Sequence, residues 1–70
     1  MNFEFGVIRS YDNYELIVEQ DDTYDFLFYV INKSTNEFEL IDIEIFYLLY
    51  FIEDDCRFEN FCRSILKFTK

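Results

Sequence analysis

Carboxylates are the only abundant reactive groups in this sequence. The stretch Glu19-Gln20-Asp21-Asp22-Thr23-Tyr24-Asp25 holds four acids and no base. Clustered carboxylates can act as general acid and base, ligate a hard cation, or dock on a basic surface. Acid–base or glycosidase chemistry needs a substrate cleft, and 70 residues leave little room for one. An EF-hand loop needs Gly at its sixth position and Glu at its twelfth. Counted from Asp21, those positions hold Phe26 and Asn32, so the motif fails. Other chemistry is scarcer still. There is no His for base catalysis or metal ligation, and Gly6 is the only glycine, which excludes a Gly-rich phosphate loop. Ser10, Ser34 and Ser64 lack a base partner, and Cys56 and Cys62 lack an imidazole to activate them. A helix N-terminus would favour the Cys56 thiolate, but Glu53, Asp54 and Asp55 oppose it. The expectation is a chain with no catalytic site, no metal and no cofactor.

What remains is charge. Fifteen acids against six bases give a net charge of −9. Residues 1–55 hold fourteen of the acids and only two bases, Arg9 and Lys33, a net of −12, whereas residues 56–70 carry a net of +3. Such a surface repels nucleic acid and anionic membrane and attracts basic surfaces. Solubility alone is served by a net charge of about 2–8 with mixed signs. The acidic part of this chain exceeds that.

Two cysteines spaced six positions apart on a helix lie about 240° apart around its axis and roughly 9 Å apart along it. A disulfide needs Cα atoms within about 7 Å, so two free thiols are expected, suited to a reducing cytoplasm. The first residues carry no basic leader followed by an apolar run, and the longest apolar run, residues 45–52, is far below the ~20 that a membrane helix needs.

The elements that must position the acids can be read from periodicity. Seventy residues make one domain, and its sixteen aromatics (ten Phe, six Tyr) supply the apolar surface that so short a chain otherwise lacks. Residues 2–8 alternate Phe3, Phe5 and Val7 with Asn2, Glu4 and Gly6, the pattern of a half-buried strand, and residues 9–13 read as a turn. Residues 14–20 alternate again, with Tyr14, Leu16 and Val18 opposite Glu15 and Glu19; Ile17 is the exception on the acidic side. Residues 25–32 are apolar on both faces, as in a central strand. After a turn at residues 33–36, residues 37–41 place Glu37 and Glu39 outward and Phe38 and Leu40 inward. Residues 43–53, with Asp42 as N-cap, read as a helix that is apolar nearly all round; a strand competes, because Ile, Phe and Tyr are good strand formers. Residues 56–68 read as an amphipathic helix with Phe58, Phe61, Cys62, Ile65 and either Phe68 or Leu66 on one stripe and a Glu59, Arg63, Lys67 ladder. The expected fold is α+β: a small antiparallel sheet of three or four strands followed by two helices packed on one face.

On strands, residues two apart face the same way at about 6.7 Å. Glu15 and Glu19, with Asp21 beyond, would form one row of acids, and Glu37 and Glu39 a second. That spacing approximates the separation of phosphates along a nucleic-acid strand, so Arg and Lys built to grip a phosphate backbone would accept it.

In size, in the acidic runs EQDDTYD and NEFELID, and in its lack of catalytic residues, the chain resembles small phage-encoded inhibitors that act as DNA mimics, the anti-CRISPR and anti-restriction proteins. The resemblance implies a non-enzymatic inhibitor occupying the basic nucleic-acid groove of a host defence nuclease. It would bind no nucleic acid and no membrane itself, and would work in the host cytoplasm as a monomer or homodimer. The expected contacts are Asp21, Asp22 and Asp25, flanked by Glu15, Glu19, Glu37 and Glu39. Three other readings stand: an antitoxin, immunity protein or subunit on an unrelated basic surface; a homo-oligomer assembled through surplus Tyr and Phe; or an acidic face that only solvates.

Overall fold

A computed structural model describes residues 5–23 and 25–67 of the chain. Four strands, β1 (Phe5–Tyr11), β2 (Tyr14–Gln20), β3 (Phe26–Asn32) and β4 (Glu37–Ile41), form an antiparallel meander in the order β1-β2-β3-β4. Two helices follow, α1 (Ile43–Phe51) and α2 (Asp55–Lys67), and both pack on one face of the sheet. No described helix is long and apolar enough to cross a membrane.

The core lies between sheet and helices. Leu16, Val30, Leu49, Phe58 and Cys62 are fully buried there, joined by Tyr14 and Leu66. The β2 pattern holds as expected, with Tyr14 and Leu16 on the helix side and Glu15, Ile17 and Glu19 on the other. Ile17 is nonetheless 4 % exposed, with Val7 and Tyr29 as its register partners on either side. Helix α1 starts at the expected cap: the Asp42 carboxylate accepts from the Ile45 N–H at 2.9 Å. It ends at Phe51, two residues early, because Ile52 turns to extended backbone. Asp54 caps α2 by accepting from the Cys56 N–H at 2.9 Å, so α2 begins at Asp55 rather than Cys56. The Glu59–Arg63 pair forms at 2.7 Å. Phe61, expected on the buried stripe, is exposed, and that stripe runs through Phe58, Cys62 and Leu66.

β1 departs most from expectation. Residues 2–4 lie outside the described residues, and the strand runs on through Arg9, Ser10 and Tyr11, which were read as turn. Only Asp12 and Asn13 form the connection, with Asp12 in the left-handed region at φ 57°, a conformation Asp tolerates. The pairing with β2 slips between Val7 and Arg9, a bulge that absorbs Ile8. Val7, expected inside, therefore stands opposite Ile17 on the open face and is half exposed.

That bulge aims Arg9 at the helices. Its Nη1 donates to the Leu49 carbonyl at 2.8 Å and to the Ile52 carbonyl, both at the C-terminal end of α1. Nη2 donates to Asp55 in the first turn of α2 at 2.9 Å, and the guanidinium lies 4.6 Å from the ring centroid of buried Phe58. α1 has no base in its own last turn, so a strand supplies the cation its dipole and orphan carbonyls require. Charge-assisted bonds of this kind are worth about 1.5–3 kcal/mol each, and removing one partner strands the others. Arg9→Met is therefore expected to lower unfolding stability by about 2–4 kcal/mol in urea denaturation, and Arg9→Lys by roughly half as much, since Lys cannot form the fork.

Candidate functional site

The acidic loop is built by its own carboxylates. Asp21 Oδ1 accepts from the Thr23 N–H at 2.9 Å, from Thr23 Oγ1 at 2.7 Å and from the Asp25 N–H at 3.1 Å. The Asp21 N–H donates back to the Asp25 carbonyl at 3.0 Å, closing the β2–β3 connection. Thr23 Oγ1 also sits 3.0 Å from Asp25 Oδ2, so its single proton is shared between two carboxylates. These bonds hold the Asp21 carboxyl below its ordinary pKa; the Thr23 hydroxyl contributes most, and the Asp25 and Thr23 amides add to it against some desolvation. Asp21 is thus a turn-former as well as a charge. Asp22 and Asp25 are the exposed anions it positions.

The other expected contact residues divide between places. Glu19 lies on the open face beside Tyr29, whose phenol is pushed up by burial first and by the hydrogen-bonded Glu19 carboxylate second. Glu15 lies near the far end of β2 and meets Lys33 at 3.5 Å, a half-exposed pair worth little to stability. Glu37 and Glu39 do not form a second row with them. Their register partners are Asn32 and Val30, and Val30 is buried under the helices, so both glutamates belong to the helix side. Glu37 lines a cavity of about 300 Å³ with Tyr14, Asn32, Arg63, Leu66 and Lys67. β3 also separates β4 from β2. The structure therefore gathers Glu19, Asp21, Asp22 and Asp25 at one end of the β2–β3 hairpin and sets Glu15, Glu37 and Glu39 apart. Among the described residues no group of three or more Cys, Asp or Glu is placed to hold a metal ion.

The inverted parity of β4 exposes what sequence reasoning missed. Phe38 and Leu40, expected inside, are 59 % and 55 % exposed on the open face. With Leu27, Tyr29 and Ile31 they line a shallow cleft of about 400 Å³ that has Glu19 at its margin. Phe38 packs edge-on against Tyr29 at 5.9 Å between centroids. A signal was present: a β3 apolar on both faces needs cover on both, and two helices on one face cannot give it. A second apolar surface lies on α1. Phe46 packs on Phe28 at 4.5 Å, and Tyr47, Tyr50 and Phe51 continue from it as a run of ring contacts, all three exposed.

The two thiols differ. Cys56 is exposed, while Cys62 is fully buried and burial pushes its thiol up to about 12. One equivalent of thiol should therefore react rapidly with Ellman's reagent at pH 8 in the native protein, the second only on unfolding. The loop makes a separate prediction. Because the folded pKa of Asp21 lies below its unfolded value, its stabilising contribution is complete above the unfolded pKa and is lost as pH falls through the folded one. Asp21→Asn should flatten the acid limb of a Tm-against-pH profile and speed amide exchange at Thr23 and Asp25.

Searches against protein-family models, curated proteins and solved structures return no match to the chain, so its function rests on the site itself.

Proposed function

We propose that the chain is a non-enzymatic binding protein that docks its acidic β2–β3 end on a basic protein surface, of the kind that grips nucleic acid in a host defence nuclease. The observation that carries the reading is the turn that Asp21 closes with Thr23 and Asp25, which leaves Asp22 and Asp25 exposed at the hairpin end with Glu19 alongside. Anions held in place before encounter lose little entropy on binding. Three of the six bases are engaged elsewhere: Arg9 with Asp55, Lys33 with Glu15 and Arg63 with Glu59. Glu15, Glu37 and Glu39 then act at long range, steering encounter rather than forming one lattice with the loop. Phosphate mimicry in this form is local to the hairpin end.

The partner should be captured from the cytosol of the chain's host on immobilised protein, at about 0.1 M and about 0.4 M salt. Capture should weaken at least about tenfold at the higher salt, and as much again for Asp22→Lys/Asp25→Lys at the lower. Undiminished capture by that double variant contradicts the proposal. Competing the captured partner with duplex or guide-bound nucleic acid separates two targets. Displacement places the chain in a nucleic-acid groove; its absence favours an antitoxin- or subunit-like basic surface.

A further inference from the structure

Sheets bury each apolar face against another layer, and among the described residues no layer covers one face here. Ile17, Leu27, Tyr29, Ile31, Phe38 and Leu40 share the open face by strand register, and most of them line the 400 Å³ cleft. A contiguous exposed apolar patch rimmed by polar groups marks an interaction site. Charge selects the occupant. The strand residues Glu15 and Glu19 carry the face's own acids, Asp22 and Asp25 stand exposed at its β2–β3 end, and Lys33 at the other end is already on Glu15. A second copy of a chain with net charge −9, stacked on this face, would press two such acidic rims together. A partner with cations outside an apolar centre meets no such opposition.

We infer that the open face is the docking surface for a polypeptide segment with an apolar stripe flanked by Lys or Arg. The stripe seats across β3 and β4, against Leu27, Tyr29, Phe38 and Leu40, and its cations reach Glu19 and the acidic loop. This deepens the proposed function and rests on its basic partner: the loop supplies charge recognition and the open face supplies burial, the usual division between rim and centre of an interface.

A synthetic helical peptide of leucine and lysine with a single apolar stripe is the probe, and the same peptide with every Lys replaced by Glu is the control. Binding is read by anisotropy and by amide shift changes in the wild-type chain. The Leu–Lys peptide should bind with shift changes at Leu27, Tyr29 and Leu40, and the Glu version should not bind. Phe38→Ser/Leu40→Ser should weaken binding at least about tenfold, because buried apolar anchors dominate interfaces. Tyr47→Ser/Phe51→Ser, on the outer side of α1, should leave it unchanged. Both pairs are exposed, so the variants should keep the wild-type circular dichroism spectrum. The inference is overturned by absent binding, by equal binding of the Glu peptide, by shifts confined to α1, or by a dimer in sedimentation that Phe38→Ser/Leu40→Ser dissociates. Peptide binding lost in Asp22→Lys/Asp25→Lys but intact in Phe38→Ser/Leu40→Ser overturns it too, while leaving the proposed function standing.

Discussion

Arg9 reaches from the strand layer to both helices at once, bonding to the end of α1 and to the first turn of α2. A domain of 70 residues with free thiols has no covalent staple to fix its layers, and apolar burial alone leaves a chain this short marginal. The guanidinium compensates by closing three gaps at once. It satisfies carbonyls that α1 leaves open, pairs with the acid that begins α2, and lies over Phe58 in the centre of the core. Only the bulge in β1 makes this reach possible, since regular pairing would have alternated Arg9 out of position. The consequence is asymmetry. Both helices are committed to the face that Arg9 occupies, and among the described residues no layer covers the other face of an equally apolar β3.

The same economy governs the acids. Asp42 and Asp54 cap helices, Asp55 and Glu59 hold arginines, and Asp21 folds a turn. Acidity that looks like surplus in the composition is thus partly structural, because a helix N-terminus and a tight turn both present unsatisfied N–H groups that a carboxylate accepts well. Of the acids with no such structural role, Glu19, Asp22 and Asp25 stand together at the β2–β3 end. Basic residues show the converse. With half of the six committed to internal pairs, the molecule has little means of screening its own acidic end.

Much of the fold was legible in the residue order. Periods of two marked β2 and β4 at their observed bounds, and Asp42 marked the start of α1, because alternation and capping are local properties. The α+β layout followed from the change of period after Ile41. Two features were not local, and a third, though local, was hidden by its neighbours. Alternation of Glu37, Phe38, Glu39 and Leu40 says that β4 has two unlike faces; which face meets the helices is decided by its register on β3, where Val30 is buried and Tyr29 is not. Arg9 looked like a turn residue because its partners lie 40 or more positions away. The turn role of Asp21 was hidden within a run of identical charges. Of the candidate site, the loop acids were legible as a cluster, whereas the open apolar cleft was masked by the presumption that apolar residues point inward.

The sheet is pinned to helices on one side, and the other side is the face offered to a partner. Methyl relaxation by a soluble gadolinium chelate reads that directly. Val7 and Leu40 methyls should relax strongly and those of Leu16, Val30 and Leu49 hardly at all, following their exposure. Equal protection of the two sets, or strong relaxation of Leu16 and Val30, would contradict the one-sided architecture and the binding face with it.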